Sequence, residues 1–167
     1  MELWDIYDKN KQKTGRTMVR DVWTLADDEY HLSVLGVIKR SDGRFLITQR
    51  QLDKPWGAGW WEVSGGGVQA GEESKEAVLR EVKEETGIDV SDAPCELALT
   101  YHRENPGKGD NYFVDVYLFR KDFDESEVHI QVEETLDFRL ATFEEIKALA
   151  DQGIFLHFDS IRKVFEM

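Results

Sequence analysis

The sequence predicts an α+β fold, a mixed β-sheet packed with helices as an α/β/α sandwich. Three observations carry that expectation. Strands dominate the order of elements, with one helix following a glycine-rich loop and two more closing the chain. Hydrophobic residues make up 41% and include five Trp and nine Phe, enough to build a core. The chain has 167 residues, close to the ~150 of one domain, so a single domain over 1–167 is expected.

Each element follows from local pattern. Leu3–Tyr7 and Thr17–Val19 flank the polar stretch Asp8–Gly15 and read as an N-terminal hairpin, the centre of an extension over 1–28. That hairpin also offers an edge for pairing with a second copy in a homodimer. The core is expected over 29–150. His31–Ile38 is β-branched and apolar, and Ser41-Asp42-Gly43 makes a turn. Arg44–Gln49 is the next strand, with Phe45 and Ile47 on one face. Pro55–Gly59 reads as a loop, Trp60–Val63 as a short strand and Gly65–Gly67 as a flexible loop. A helix is expected from Glu72 to Thr86, stopped by Gly87. Glu96–His102, Tyr112–Phe119 and Leu136–Leu140 are further strands. Thr142-Phe143-Glu144-Glu145 resembles a capping box opening a helix to Asp151. The segment 151–167 holds a last helix, Ser160–Glu166, in which Ile161, Val164 and Phe165 are apolar.

Charge narrows the function classes. Asp and Glu number 34 against 21 Lys and Arg, a net charge of −13, which argues against a generic nucleic-acid surface. Anionic substrates stay open where a cation or local basic residues offset the charge. One cysteine excludes an intramolecular disulfide framework, and no Cys/His cluster suggests zinc. No apolar run approaches the roughly 18 residues of a membrane span. The start Met1-Glu2-Leu3-Trp4-Asp5 lacks the basic and apolar stretches of a secretory signal, so a cytoplasmic location is expected.

The helix Glu72–Thr86 carries the chemistry. With each residue turned about 100° from the last, Ala77, Val78 and Val82 share the inner side and Lys75, Glu76 and Lys83 the solvated one. Glu81 and Glu85 fall between Ala77 and Val78, and Glu84 lies at the border. Three acids at i, i+3 and i+4 turned toward the protein repel one another, and their burial is costly without a partner. A hard divalent cation, Mg²⁺ or Mn²⁺, resolves the conflict. The glycine loop ahead of the helix brings backbone groups close to an anion or a metal.

These residues resemble the Nudix box, G-x5-E-x7-R-E-U-x-E-E-x-G-U with U a bulky aliphatic. Gly66, Glu72 and Arg80-Glu81-Val82-Lys83-Glu84-Glu85-Thr86-Gly87-Ile88 fill every fixed and aliphatic place. At roughly 7% usage per fixed residue, a chance match is on the order of one in a million. The strand order from His31 to Ala148 also resembles a Nudix domain.

The resemblance implies an α/β/α sandwich and Mg²⁺-dependent hydrolysis of a small-molecule substrate, a nucleoside diphosphate linked to another group, with Mn²⁺ as a substitute. It makes Glu84 and Glu85 the principal metal ligands, Glu81 a ligand or base, and the Gly65 carbonyl a further ligand. Arg80 and Glu72 brace the box and Gly66 belongs to its loop. A later loop often adds a glutamate as ligand or base, for which Glu133 and Glu134 are the candidates, with Glu134 carried forward.

Arg50 and Lys54 follow the second strand and stand as phosphate contacts or as surface charge. Trp56, Trp60 and Trp61 precede the box; Trp61 is the candidate for stacking on a substrate ring, against a reading in which it feeds the core. His102 and Arg103 end a strand near the expected pocket, His31 reads as structural, and Cys95 as an apolar filler. The N-terminal part and Gln49–Lys54 also resemble the isopentenyl-diphosphate isomerase branch of the family. That enzyme uses a cysteine before its box and added histidine ligands, whereas Trp61–Gly67 has neither. A non-catalytic acidic binding module is the remaining alternative. Mg²⁺-dependent product release separates the three.

Overall fold

Strand β3 (His31–Lys39) organises the molecule. The computed structural model describes residues 1–167. β3 pairs in parallel with β8 (Tyr112–Arg120) along its whole length, from His31 opposite Tyr112 to Lys39 opposite Arg120. β7 (Cys95–Arg103) lies antiparallel outside β8. On its other edge β3 meets β4 (Phe45–Arg50) at one end, Lys39 opposite Phe45, and β6 (Ser64–Gly67) at the other, Leu35 opposite Gly65. β5 (Trp61–Glu62) and β9 (Thr135–Ala141) pair with β4, completing seven strands. β1 (Leu3–Tyr7) and β2 (Lys13–Val19) form a separate antiparallel hairpin. β2 starts four residues earlier than the apolar pattern indicates, because pairing with β1 extends into the polar stretch.

The alternation of side chains along β3 and β8 explains the layers. Leu32, Val34, Ile38, Phe113, Tyr117 and Phe119 face α1 (Ser74–Thr86) and pack with Ala77, Val78 and Val82. Leu35, Val37, Val114, Val116 and Leu118 face α2 (Phe143–Asp151) and α3 (Phe158–Phe165), packing with Ile146, Phe158, Ile161 and Val164. The result is the α/β/α sandwich expected. No helix is long and apolar enough to cross a membrane.

Three further sequence expectations change. Gly65–Gly67 is not a loop but most of β6, because its backbone completes the ladder to β3. α1 begins at Ser74, leaving Glu72 in the preceding turn; the Glu76 carboxylate accepts the Glu73 amide at 3.0 Å and fixes that start. α3 begins at Phe158. Thr142 caps α2 as its spacing predicts, accepting the Glu145 amide at 3.2 Å. Gly87 ends α1 at φ 76°, the left-handed conformation glycine adopts without penalty, and donates its amide to the Lys83 carbonyl.

Candidate active site

The inner face of α1 lies against β6, and glycine makes that approach feasible. A Cβ at Gly66 would stand 2.5 Å from the Glu81 carboxylate. Arg80 then ties the region together. Its guanidinium grips Glu72 through Nε and Nη2 at 2.8 and 2.9 Å, and donates to Glu81 at 2.8 Å and to the Gly67 carbonyl at 3.2 Å. Glu84 lies 3.5 Å away. Burial works against the Glu72 charge, but Arg80 and the Gln69 amide still hold its carboxyl below the ordinary range. The braces expected at Arg80 and Glu72 are therefore in contact.

Glu81 and Glu85 experience the opposite balance. Burial raises Glu81 in spite of Arg80, with Glu84 and Glu2 adding to it. Glu85 is raised well above the carboxylate range, first by burial and then by Glu62 and Glu81; only the Gly65 amide and the Ser64 hydroxyl favour its charge. Glu84 is the outlier of the three, with 48% of its side chain exposed at the rim.

Glu62 joins them. It was not among the residues singled out by sequence, although the alternation of Trp61-Glu62-Val63 turns it away from the core that holds its neighbours. Burial raises its carboxyl, opposed by Arg50 and Lys54. Arg50 donates to Glu62 at 3.3 Å and lies 4.0 Å from the Trp56 ring centre. Lys54 pairs with Glu134, and Gln51 fixes that loop through the Val132 carbonyl at 2.7 Å. Arg50, Lys54 and Glu134 thus come together beside Glu62, and through it reach Glu85.

Trp61 is placed differently from the substrate-stacking expectation. It is buried at 9% exposure in the layer toward α2 and α3, because pairing with Gln49 directs it there alongside Ile47 and Val63. The exposed ring next to Arg50 is Trp56, at 56%. Cys95 belongs to the margin of the α1 layer, and burial pushes its thiol up, which suits a filler.

No three His, Cys, Asp or Glu side chains converge as a ready metal cage. The donor set nevertheless fits a hard divalent cation. Glu62, Glu81 and Glu85 are partly buried carboxylates, the charges of Glu62 and Glu81 both acting on Glu85, with Arg80 committed largely to Glu72 and Glu81. Such a set lacks positive charge where Glu85 sits, and oxygen donors of this kind suit Mg²⁺ or Mn²⁺.

A mixed sheet between helix layers, with the glutamates of one helix over a glycine strand, defines a class of protein. The NUDIX domain profile matches residues 29–162. An uncharacterized Nudix hydrolase of Listeria innocua is 34% identical, the alignment covering 100% of this chain and 95% of the relative. Isopentenyl-diphosphate Delta-isomerase of Salmonella heidelberg is 28% identical over 70% of this chain and 64% of its own length. The crystal structure of DR0079 from Deinococcus radiodurans superposes with a TM-score of 0.75 at 22% identity, covering 98% of this chain and 97% of that one. The chain belongs to the Nudix hydrolase family, which acts on diphosphate-containing substrates.

Proposed function

We propose that the protein is a divalent-metal-dependent diphosphohydrolase that cleaves the diphosphate of a nucleoside diphosphate linked to a second group. The observation that carries this reading is Glu85, a carboxylate enclosed with Glu62 and Glu81 and provided with no cationic partner. Glu81, Glu84, Glu85 and the Gly65 carbonyl would hold Mg²⁺, or Mn²⁺ in its place. When bound, the ion supplies charge neutralisation of the diphosphate and polarisation of its P–O bonds.

The chain's own residues supply the rest. Arg80 clamps Glu72 and Glu81, so the glutamates keep their orientation while substrate exchanges. Arg50 and Lys54 present positive charge beside Glu62 and offset the anionic substrate. A carboxylate of the cluster, Glu81 or the loop residue Glu134, accepts the proton of the attacking water. The water oxygen forms a bond to one phosphorus, the bridging P–O bond breaks, and the other phosphate leaves with the electron pair.

A panel of diphosphate compounds incubated with Mg²⁺, with products identified by mass, tests the reading. Two phosphate-bearing products from one compound are expected, with the bond broken named by their masses. Double-bond migration in isopentenyl diphosphate without phosphate release would assign the protein to the isomerase branch instead. Binding without turnover of any compound would leave a binding module.

A further inference from the structure

A second region of positive charge lies outside the glutamate cluster. The groove between the end of β7, α2 and the start of α3 has a volume of about 390 Å³ and is lined by Arg103, Lys147, His157, Ser160 and Arg162. In a chain of net charge −13 such a concentration of cations is unusual. Neither Arg103 nor Lys147 forms a salt bridge. Arg103 donates instead to the Ser160 hydroxyl and the His102 carbonyl. Arg162 has only a loose contact with Glu166, at 3.8 Å. Asp151 and Asp159 also line the groove, yet neither forms a salt bridge with these cations.

The backbone adds donors. His157 adopts the left-handed conformation at φ 64° and ψ 16° immediately before α3, and its side chain does not cap the helix. Its carbonyl accepts the Ser160 and Ile161 amides at 3.0 and 3.1 Å, while the Phe158 and Asp159 amides have no acceptor in the chain. A left-handed residue followed by helical ones forms a concave run of N–H groups that suits an oxyanion. Partial desolvation, then the positive fields of Arg103 and Arg50, hold the His157 imidazole below its ordinary range, so those two arginines act on one point.

We infer that this groove is a subsite for a phosphomonoester-type dianion. A tetrahedral phosphate accepts hydrogen bonds on several sides at once, which matches a guanidinium, an ammonium, a hydroxyl and helix amides arranged around one space. Arg50 links the groove to the glutamate cluster. The spot a Cβ would occupy at Gly57 lies 3.2 Å from Arg50 and 3.4 Å from Leu156, the neighbour of His157, and Arg50 reaches Glu62 at 3.3 Å. That adjacency suits a phosphate on the far group of the substrate. Free inorganic phosphate has the same chemistry.

Titrating inorganic phosphate into ¹⁵N-labelled, metal-free protein in phosphate-free buffer tests the subsite without relying on hydrolysis. Saturable shifts are expected at the amides of 157–160, weakened about tenfold in Arg103→Ala, the scale of one charge-assisted contact. Lys147→Ala, on an exposed helix face, provides an independent variant and is expected to weaken binding in the same direction. Absence of saturable shifts at those amides, or equal affinity in wild type and both variants, overturns the inference. A second arm, which alone rests on the hydrolase reading, compares two diphosphate substrates that differ by a terminal phosphomonoester. A fall in their kcat/KM ratio in Arg103→Ala assigns the phosphate to substrate. An unchanged ratio, with phosphate binding weakened in the same variant, assigns the subsite to the free anion.

Discussion

At the scale of single residues, the contrast between Glu72 and Glu85 shows what burial and an ion-pair partner decide together. Both are partly buried box glutamates, yet Arg80 faces one and not the other, and their carboxyls shift in opposite directions. Glu85→Gln is expected to lower kcat by at least 100-fold while circular dichroism stays that of the wild type, since only one charge changes in a site of conserved volume. Millimolar Mg²⁺ is expected to raise the wild-type Tm and to do so far less in this variant, because a ligand that binds only the native state stabilises it by mass action. Full turnover by the purified variant would remove Glu85 from the chemistry. His31 offers a separate, pH-dependent case. Its ring stacks on Trp4 at 4.6 Å, its Nε2 meets Asp110 at 2.8 Å, and its Nδ1 is buried without a partner. Burial lowers its pKa against the pull of Asp110 and Asp21. A base with a depressed native pKa contributes stability above its ordinary 6.5 that is lost as pH falls below that value, because the unfolded chain takes the proton first. His31→Phe keeps a ring against Trp4 but has no such proton. The Tm advantage of wild type over the variant is therefore expected to shrink between about pH 8 and about pH 5.5. A constant difference across that range would show that His31 does not titrate on unfolding.

At the scale of elements, the α1–β6–β3 contact determines where the glutamates stand. Gly36 in β3 is a point of close approach to α1: an added Cβ would lie 2.6 Å from Val82 and 3.0 Å from Val78. Gly36→Ala is expected to destabilise the fold by about 1–3 kcal/mol through overpacking, which for a chain of this size lowers Tm by roughly 2–4 °C per kcal/mol. Because the displaced helix carries Glu81 and Glu85, kcat should fall as well, and an unchanged Tm by calorimetry would refute the packing argument. The same contact shows what could be read in advance. The spacing of Ala77, Val78 and Val82, with Glu81 and Glu85 between them, placed the acids on the inner face, where they stand. Their surroundings were harder to read, because Gly65–Gly67 has the composition of a loop and becomes a strand only through β3, a partner thirty residues earlier in the chain. Glu62 was hidden for a related reason. Nothing local marks it, and its role depends on Arg50 from β4 and Glu85 from α1. Trp61 and Trp56 were told apart by strand pairing, which composition does not record.

At the scale of the whole molecule, the excess of acid divides into three populations. Most of it is a solvated coat. Glu62, Glu81 and Glu85 form the enclosed cluster beside α1, with Glu84 at its rim. One more acid stands alone inside the fold. Asp115, the polar exception in the apolar strand Tyr112–Arg120, is 1% exposed on the α1 side of β8. It accepts hydrogen bonds from Ser74 and Thr100, each at 2.6 Å, and its cation is Lys11 at 2.8 Å, delivered from the turn of the N-terminal hairpin. Lys11 holds φ 61° to reach it. The hairpin is thus bound to the sheet by a buried charge as well as by the packing of Trp4 over Gly67, next to the carbonyl that Arg80 engages. Removing the cation leaves the carboxylate enclosed, so Lys11→Met is expected to cost about 3 kcal/mol, the lower end for a broken buried pair because Lys11 keeps partial exposure. Asp115→Asn added to Lys11→Met should recover much of that loss, since the remaining amide carries no charge. Hydrogen exchange of the Lys11→Met protein checks the structural consequence: amides of β1 and β2 should lose protection more than those of β3. Equal protection in both would mean that aromatic packing alone holds the hairpin, and that the charge network serves only the interior of the sheet.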